Sequence, residues 1–437
     1  MTGFGYLGSV IVLLLSVVLN GLVLAYRWPR ASGVRRALDR LQRRLTGRPD
    51  WSWLGLSTIL LPLIVLTVAN IVWQVSTLHC GDDSLALLAS GQAALSGHNP
   101  FLISYCSHPM PDQIPYGLAA VSLNALAAVS GSVAGVWIVW QLLALAVVPL
   151  VWAIGGTDRR YVAVLAATSV AYLPNIMTSI GVDNAIVPVS VLLMLYALTL
   201  RSRRSRGLMA LGAFLSTARF PALFPILGSS ASSAPNRARQ FLGVLGVFLG
   251  AALVSYAIWG SDAISIVYLN QFSRASGGTL NLFALLAQEG WLIPSLASAV
   301  VQGSILIALV LFVDYRQYSA RAAVAIPLIG VMSLSQYLNF HFVLWIVPLV
   351  LLGATANFWL FLYAVGAAVD GFVAIGYLGE TLGMWGPYEI AGVLLSAILL
   401  ALLYIIIRDE EARIRSRVPG AQAGSASTPP TRGMPGR

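Results

Sequence analysis

Apolar runs of about 20 residues, the length that crosses a hydrocarbon core of about 30 Å, alternate along this chain with short linkers that carry its arginines. The runs at 4–26, 53–76, 161–180, 185–200, 241–259, 291–313, 322–338, 343–352, 359–375 and 390–407 each predict a membrane segment. Two stretches interrupt the pattern. Residues 116–154 suffice for two spans with a break near Ser130–Gly131, and residues 208–227 are broken by Arg219, Pro221 and Pro225. Period-two alternation is absent, and backbone inside hydrocarbon must bond within its own segment, so helices are expected rather than a barrel. The expected fold class is all-α: a polytopic membrane protein with about 11–13 transmembrane or re-entrant helices.

Placing the arginine-rich linkers 27–48, 201–206, 237–239, 316–321 and 408–417 on the cytoplasmic side puts the polar loops 78–115 and 260–290 outside. The arginine clusters at 201–206 and 237–239 flank a single apolar stretch, so residues 208–227 are expected to enter and return as half-helices broken at the prolines. The membrane-embedded domain is expected to occupy 1–407. Residues 408–437, ending in a run of Pro, Gly, Ser and Thr, read as a disordered cytoplasmic tail. The run at 4–26 has no basic stretch before it and no small-residue cleavage site after it, and is expected to be a retained helix.

Composition sharpens this picture. The 437 residues are 58% hydrophobic with mean hydropathy +0.81, and the formal charge of +10 comes from arginine alone, in short runs and without a lysine anywhere. Basic runs at membrane boundaries argue against nucleic acid as a partner and for the bilayer. No phosphate-loop or dinucleotide glycine signature occurs, which leaves an ATP-driven motor without support. The two cysteines, Cys80 and Cys106, share the first outer loop. A disulfide and two free thiols are both compatible with that spacing.

Only 10% of residues are charged, so the adjacent acids Asp82 and Asp83, where an apolar run gives way to the outer loop, are conspicuous. Two carboxylates at a membrane boundary suit proton abstraction or cation binding, and equally suit solvated loop positions. Asp82, Asp83 and Ser84 are good helix-starting residues, and Leu85, Leu88, Ala89, Gln92 and Leu95 recur at helical spacing. A short amphipathic helix on the membrane surface is therefore expected, capped by Gly97 and followed by an Asn99–Pro100 turn. His79, His98 and His108 share the loop, but their spacing matches no zinc pattern, and no metal ligand is assigned. A carboxylate-bound divalent cation is the one cofactor the acids leave open.

The order Asp83, Gly97, Asn99, Pro100, Phe101 resembles the integral membrane glycosyltransferases of the GT-C superfamily, in particular the bacterial group that uses polyprenyl-phosphate sugars as donors. Ile114-Pro115-Tyr116-Gly117-Leu118 resembles the start of that family's next span, Gly181-Val182-Asp183-Asn184 its polar interhelical turn, and 212–221 its small-residue segment ending in a basic residue and a proline. The family commonly has lysine where this chain has Arg219. The resemblance runs loosely from about Trp53 to Pro348 and rests on the order of several weak motifs.

What the resemblance implies is transfer of a sugar, mannose before arabinofuranose, from a polyprenyl-phosphate donor to a glycolipid or glycan acceptor of the cell envelope. The expected location is the outer face of a bacterial cytoplasmic membrane. Asp83 is the implied catalytic base, with Asp82 as its alternative. Arg219 is expected to bind the donor phosphate, helped by Arg274, because a guanidinium presents a planar fork to phosphate oxygens. Asn99, Asp183, Asn184 and His341 are expected to line the substrate cavity. A lone arginine in an apolar stretch also fits a snorkelling or structurally paired side chain, and Asp183 also fits an ordinary helix cap. The competing functions are a secondary transporter or flippase of a lipid or envelope precursor, and a non-catalytic envelope scaffold. No duplicated half favours the transporter, and the most polar segment lies at one surface rather than at mid-membrane.

Overall fold

The computed structural model describes residues 83–104, 112–113, 116–155, 185–200, 203–218, 234–269, 295–334 and 386–416, with isolated positions within 32–40 and 64–76 and at 345. These residues are mostly helical, as the apolar runs require. Ten α-helices of nine or more residues follow in order: α1 Asp83–Leu95, α2 Leu118–Ala128, α3 Val133–Leu145, α4 Val147–Gly155, α5 Ile186–Thr199, α6 Arg203–Ser216, α7 Ala234–Trp259, α8 Ser295–Arg316, α9 Ala320–Leu334 and α10 Gly386–Ser416, with a single turn, Asp262–Ile264, after α7. Leu102–Ile103 and Asp112–Gln113 add a small antiparallel pair, with Leu102 opposite Gln113 and Ile103 opposite Asp112.

Two helices among the described residues are long and apolar enough to cross a membrane, Val133–Ile154 (α3 with α4) and Arg239–Trp259 in α7. The break expected near Ser130–Gly131 is present: α2 stops, Gly131 turns the chain at φ 67°, and α3 begins at Val133. The stretch does not make two full spans, however. At 11 residues and about 1.5 Å per residue, α2 is roughly 17 Å long, so only its α3–α4 portion has spanning length. The runs expected at 4–26, 161–180 and 359–375 lie outside the described residues, as do both cysteines.

One large core joins α2 through α6 to α8, α9 and α10 through Trp137, Trp140, Leu192, Ile326, Leu328 and Leu402. Within it α5 and α6 form an antiparallel helical hairpin, where Ser190 Oγ donates to the Gly212 carbonyl at 3.0 Å. A Cβ at Gly212 would lie 2.6 Å from the Met194 side chain, so the hairpin is close-packed at that point. Helix α9 packs between α8 and α10.

The far end of α10 departs from the expected disordered tail, because the helix runs unbroken through residues 408–416 to Ser416. Acids in that segment hold it. Arg316 forks onto Glu411, donating from Nε at 2.7 Å and also from Nη2, while the Tyr318 hydroxyl donates to Glu411 Oε1 at 2.6 Å. Ser319 donates to Glu410 from its backbone N–H at 3.0 Å and from its hydroxyl at 2.7 Å, and Arg413 Nε joins at 2.9 Å. The acids thus fasten α10 to the tight α8–α9 turn, in which Gln317 takes φ 55°.

Candidate functional site

Asp83 occupies the first turn of α1 and is half-buried. Its helix ends as expected. The His98 N–H bonds the Ala93 carbonyl at 2.8 Å, the Gly97 N–H bonds the Ala94 carbonyl at 3.2 Å, and Gly97 takes φ 74°, together a Schellman stop. Beyond it Asn99 Oδ1 accepts the Phe101 N–H at 2.9 Å and forms the expected turn.

The buried face of α1 is not the one its leucines predict. Ser84, Ala86, Leu87, Ser90 and Gly91 are buried, whereas Gln92 and Leu95 are exposed and Leu85, Leu88 and Ala89 are half-buried. The cause is close helix packing by small residues. A Cβ at Gly91 would stand 2.1 Å from the Asn124 carbonyl oxygen, so α1 meets the α2 backbone where only glycine fits. The helix is therefore docked on α2 and α3 rather than laid as an amphipathic surface helix.

Three other helix ends meet near α1. Tyr116 packs with Ala86, Ala89, Ala93 and Ile103, one turn from Asp83. The next residue, Gly117, donates its N–H to the Ala218 carbonyl at 3.3 Å, and a Cβ there would stand 1.8 Å from the Thr217 oxygen. Thr217 Oγ1 accepts the Ala119 N–H at 3.3 Å, so a hydroxyl from the end of α6 caps α2, whose own Gly117 has no side chain to do so. Because α5 runs antiparallel to α6, α5 begins at this same end.

The expected site residues divide accordingly. Ala218, the immediate neighbour of Arg219, and Ala185, which follows Asp183 and Asn184, belong to helix ends gathered on the Asp83 side. Asp82, Asp183, Asn184, Arg219, Arg274 and His341 themselves lie outside the described residues. Asn99 does not join Asp83. The 13 residues of α1 at about 1.5 Å each separate them by roughly 20 Å.

At the Asn99 end stands a carboxylate that sequence reasoning passed over. Asn99 Nδ2 donates to Asp262 Oδ2 at 3.0 Å across 163 positions of chain. Asp262 follows α7 and leads into a π-helical turn, Ser265–Leu269. Trp259, the last residue of α7, meets Phe101 edge to face with ring centroids 5.5 Å apart, and its Nε1 is buried without a hydrogen-bond partner among the described residues. The one available signal was the position of Asp262 at the start of the second outer loop. Among the described residues no group of three or more His, Cys, Asp or Glu side chains gathers as a metal site.

Compared with known proteins, the chain matches no protein-family model and no curated protein.

Proposed function

We propose that the chain is a multi-pass membrane glycosyltransferase that transfers a sugar, mannose in the first instance, from a polyprenyl-phosphate donor to an envelope glycolipid or glycan acceptor on the outer face of a bacterial cytoplasmic membrane. The observation that carries the reading is the junction at the start of α2. Through Tyr116 it adjoins the first turns of α1, which bear Asp83, and through Gly117 it bonds the residue before Arg219. The Asp83 carboxylate and the end of α6 at Ala218 thereby stand at one end of the bundle, and the reading adds Arg219, the next residue in sequence, as the group that meets a lipid-linked phosphate there.

The membrane assignment draws on the apolar surface of the helices. Only 22% of the α7 span is buried, and Leu242, Leu249, Leu253 and Ile258 stand exposed along it. Apolar area of that extent is unfavourable in water and favourable in hydrocarbon.

In the reaction Asp83 takes the proton of the acceptor hydroxyl as its oxygen attacks the anomeric carbon from the side opposite the phosphate. The carbon–oxygen bond to phosphate breaks, its electron pair leaves with the lipid phosphate, and the sugar is transferred with inversion. Arg219 stabilises the charge that grows on the leaving phosphate, in a medium where low dielectric strengthens the attraction. Asp82 is the alternative base.

The test uses purified protein in lipid, radiolabelled polyprenyl-phosphate mannose or its arabinose counterpart, and envelope-lipid acceptors. Asp83→Asn is expected to lower transfer by about 10²–10⁴-fold while donor binding persists. Equal transfer by both proteins would move the base to Asp82. Movement of an unaltered substrate with no release of polyprenyl phosphate would establish a transporter instead.

A further inference from the structure

We propose that Asn99, Trp259 and Asp262 form a hydroxyl-recognising subsite for a glycan, separate from the reacting end at Asp83. The inference rests on the transferase reading only in identifying that glycan as the acceptor.

Three observations meet at this place. Asp262 uses Oδ2 to accept from Asn99, which leaves its Oδ1 without a side-chain donor among the described residues. Asn99 is fixed in turn by the Phe101 N–H on its Oδ1, so the carboxylate–amide pair is held in one geometry before any ligand arrives. Trp259 contributes a buried indole N–H with no acceptor among the described residues, an arrangement that costs free energy unless a ligand oxygen completes it.

The packing around the pair is apolar. Phe101, Val121, Ala263, Ile266 and Val267 are buried together, with Trp259 and Ala94 against them. A carboxylate half-buried at the edge of such a cluster adds nothing to its packing. The π-helical turn that follows Asp262 points the same way, since such turns recur at functional positions. A carboxylate oxygen, an amide and an indole beside an aromatic edge match the alternating hydroxyl and C–H surface of a sugar ring.

The separation from Asp83 gives the ligand class. A sugar bound at Asn99–Asp262 lies roughly 20 Å, the length of α1, from the carboxylate that activates the acceptor hydroxyl. A single ring cannot occupy both positions, so the acceptor is an oligosaccharide rather than a lone sugar or a lipid headgroup.

The experiment measures equilibrium binding of octyl glycosides carrying one sugar or a chain of several, in mannose and arabinofuranose series, to full-length protein in lipid nanodiscs without donor. The wild type is compared with Asp262→Asn, which keeps an oxygen for Asn99, and Trp259→Phe, which keeps the ring edge against Phe101. Unchanged melting temperatures establish that both variants fold. In at least one series the longer glycoside is expected to bind about tenfold or more tightly than the short one, and each variant to lose most of that gain. Length-independent binding by the wild type, no binding of either series, or a gain that survives in both variants would overturn the subsite. Transfer assays on the same samples separate the two readings: a length-dependent gain lost in the variants, without any sugar transfer by wild type, leaves the subsite standing and removes the enzyme.

Discussion

Thr217 shows how much a single hydroxyl can organise. It accepts from the Ala119 N–H while the neighbouring Ala218 carbonyl accepts from Gly117, so the end of α6 satisfies two donors at the start of α2. Thr217→Val, which keeps the shape and removes the acceptor, is expected to cost about 1 kcal/mol, read as a lowered melting temperature in detergent. The residue after Ala218 is Arg219, and here the expectation concerns rate. Arg219→Ala is expected to reduce the transfer rate by about 10²–10³-fold, while Arg219→Lys retains more of it because the positive charge survives and only the planar fork is lost. Equal loss in the two variants, measured as polyprenyl phosphate released, would mean that geometry rather than charge matters there.

Among the elements, α1 is attached largely through small residues. Its inner face is Ser84, Ala86, Leu87, Ser90 and Gly91, seated against α2 at Asn124. Gly91→Ala places a methyl group inside the van der Waals radius of a backbone oxygen, and overpacking of this kind costs about 1–3 kcal/mol. Gly117→Ala meets the Thr217 oxygen more severely still. Both variants are expected to loosen α1 or α2, seen as faster amide hydrogen exchange in 83–128, with little change in the α8–α10 hairpins.

The same helix marks where the sequence is readable and where it is not. Its end at Gly97, the turn at Asn99, the break at Gly131 and the helix 185–200 were legible, because each depends on local backbone chemistry. The buried face of α1 was not. In a chain where leucine is as comfortable in lipid as in the core, apolar spacing does not identify the inward side, and small residues do so instead. The Asn99–Asp262 bond was invisible for another reason: it joins positions 163 residues apart, and nothing local in either segment announces the other.

At the scale of the whole molecule, the clamp between α10 and the α8–α9 turn closes the helical core at the end expected to be cytoplasmic. The Arg316 fork, and then the Tyr318 hydroxyl, hold the Glu411 carboxyl below its ordinary value of 4.5. A depressed carboxyl contributes stability that is complete above about pH 4.5 and is lost as the pH falls through the folded value. The melting temperature of wild type should therefore drop more steeply on acidification than that of Glu411→Gln, which has no charge to lose. Burial, and then the bond to Glu411, push the Tyr318 hydroxyl up to about 12. Its contribution is present below pH 10 and disappears as the pH rises through about 12. Phenolate absorbance should show one fewer high-titrating tyrosine in Tyr318→Phe.

The clamp also fixes where this chain tolerates being cut. Glu410 and Glu411 lie beyond the last apolar run, so a truncation at the hydrophobic boundary near Ile407 would look harmless by hydropathy. It would nevertheless strip Arg316, Tyr318 and Ser319 of the carboxylates they hold. Purification tags and fusion partners therefore belong after Ser416, where α10 ends.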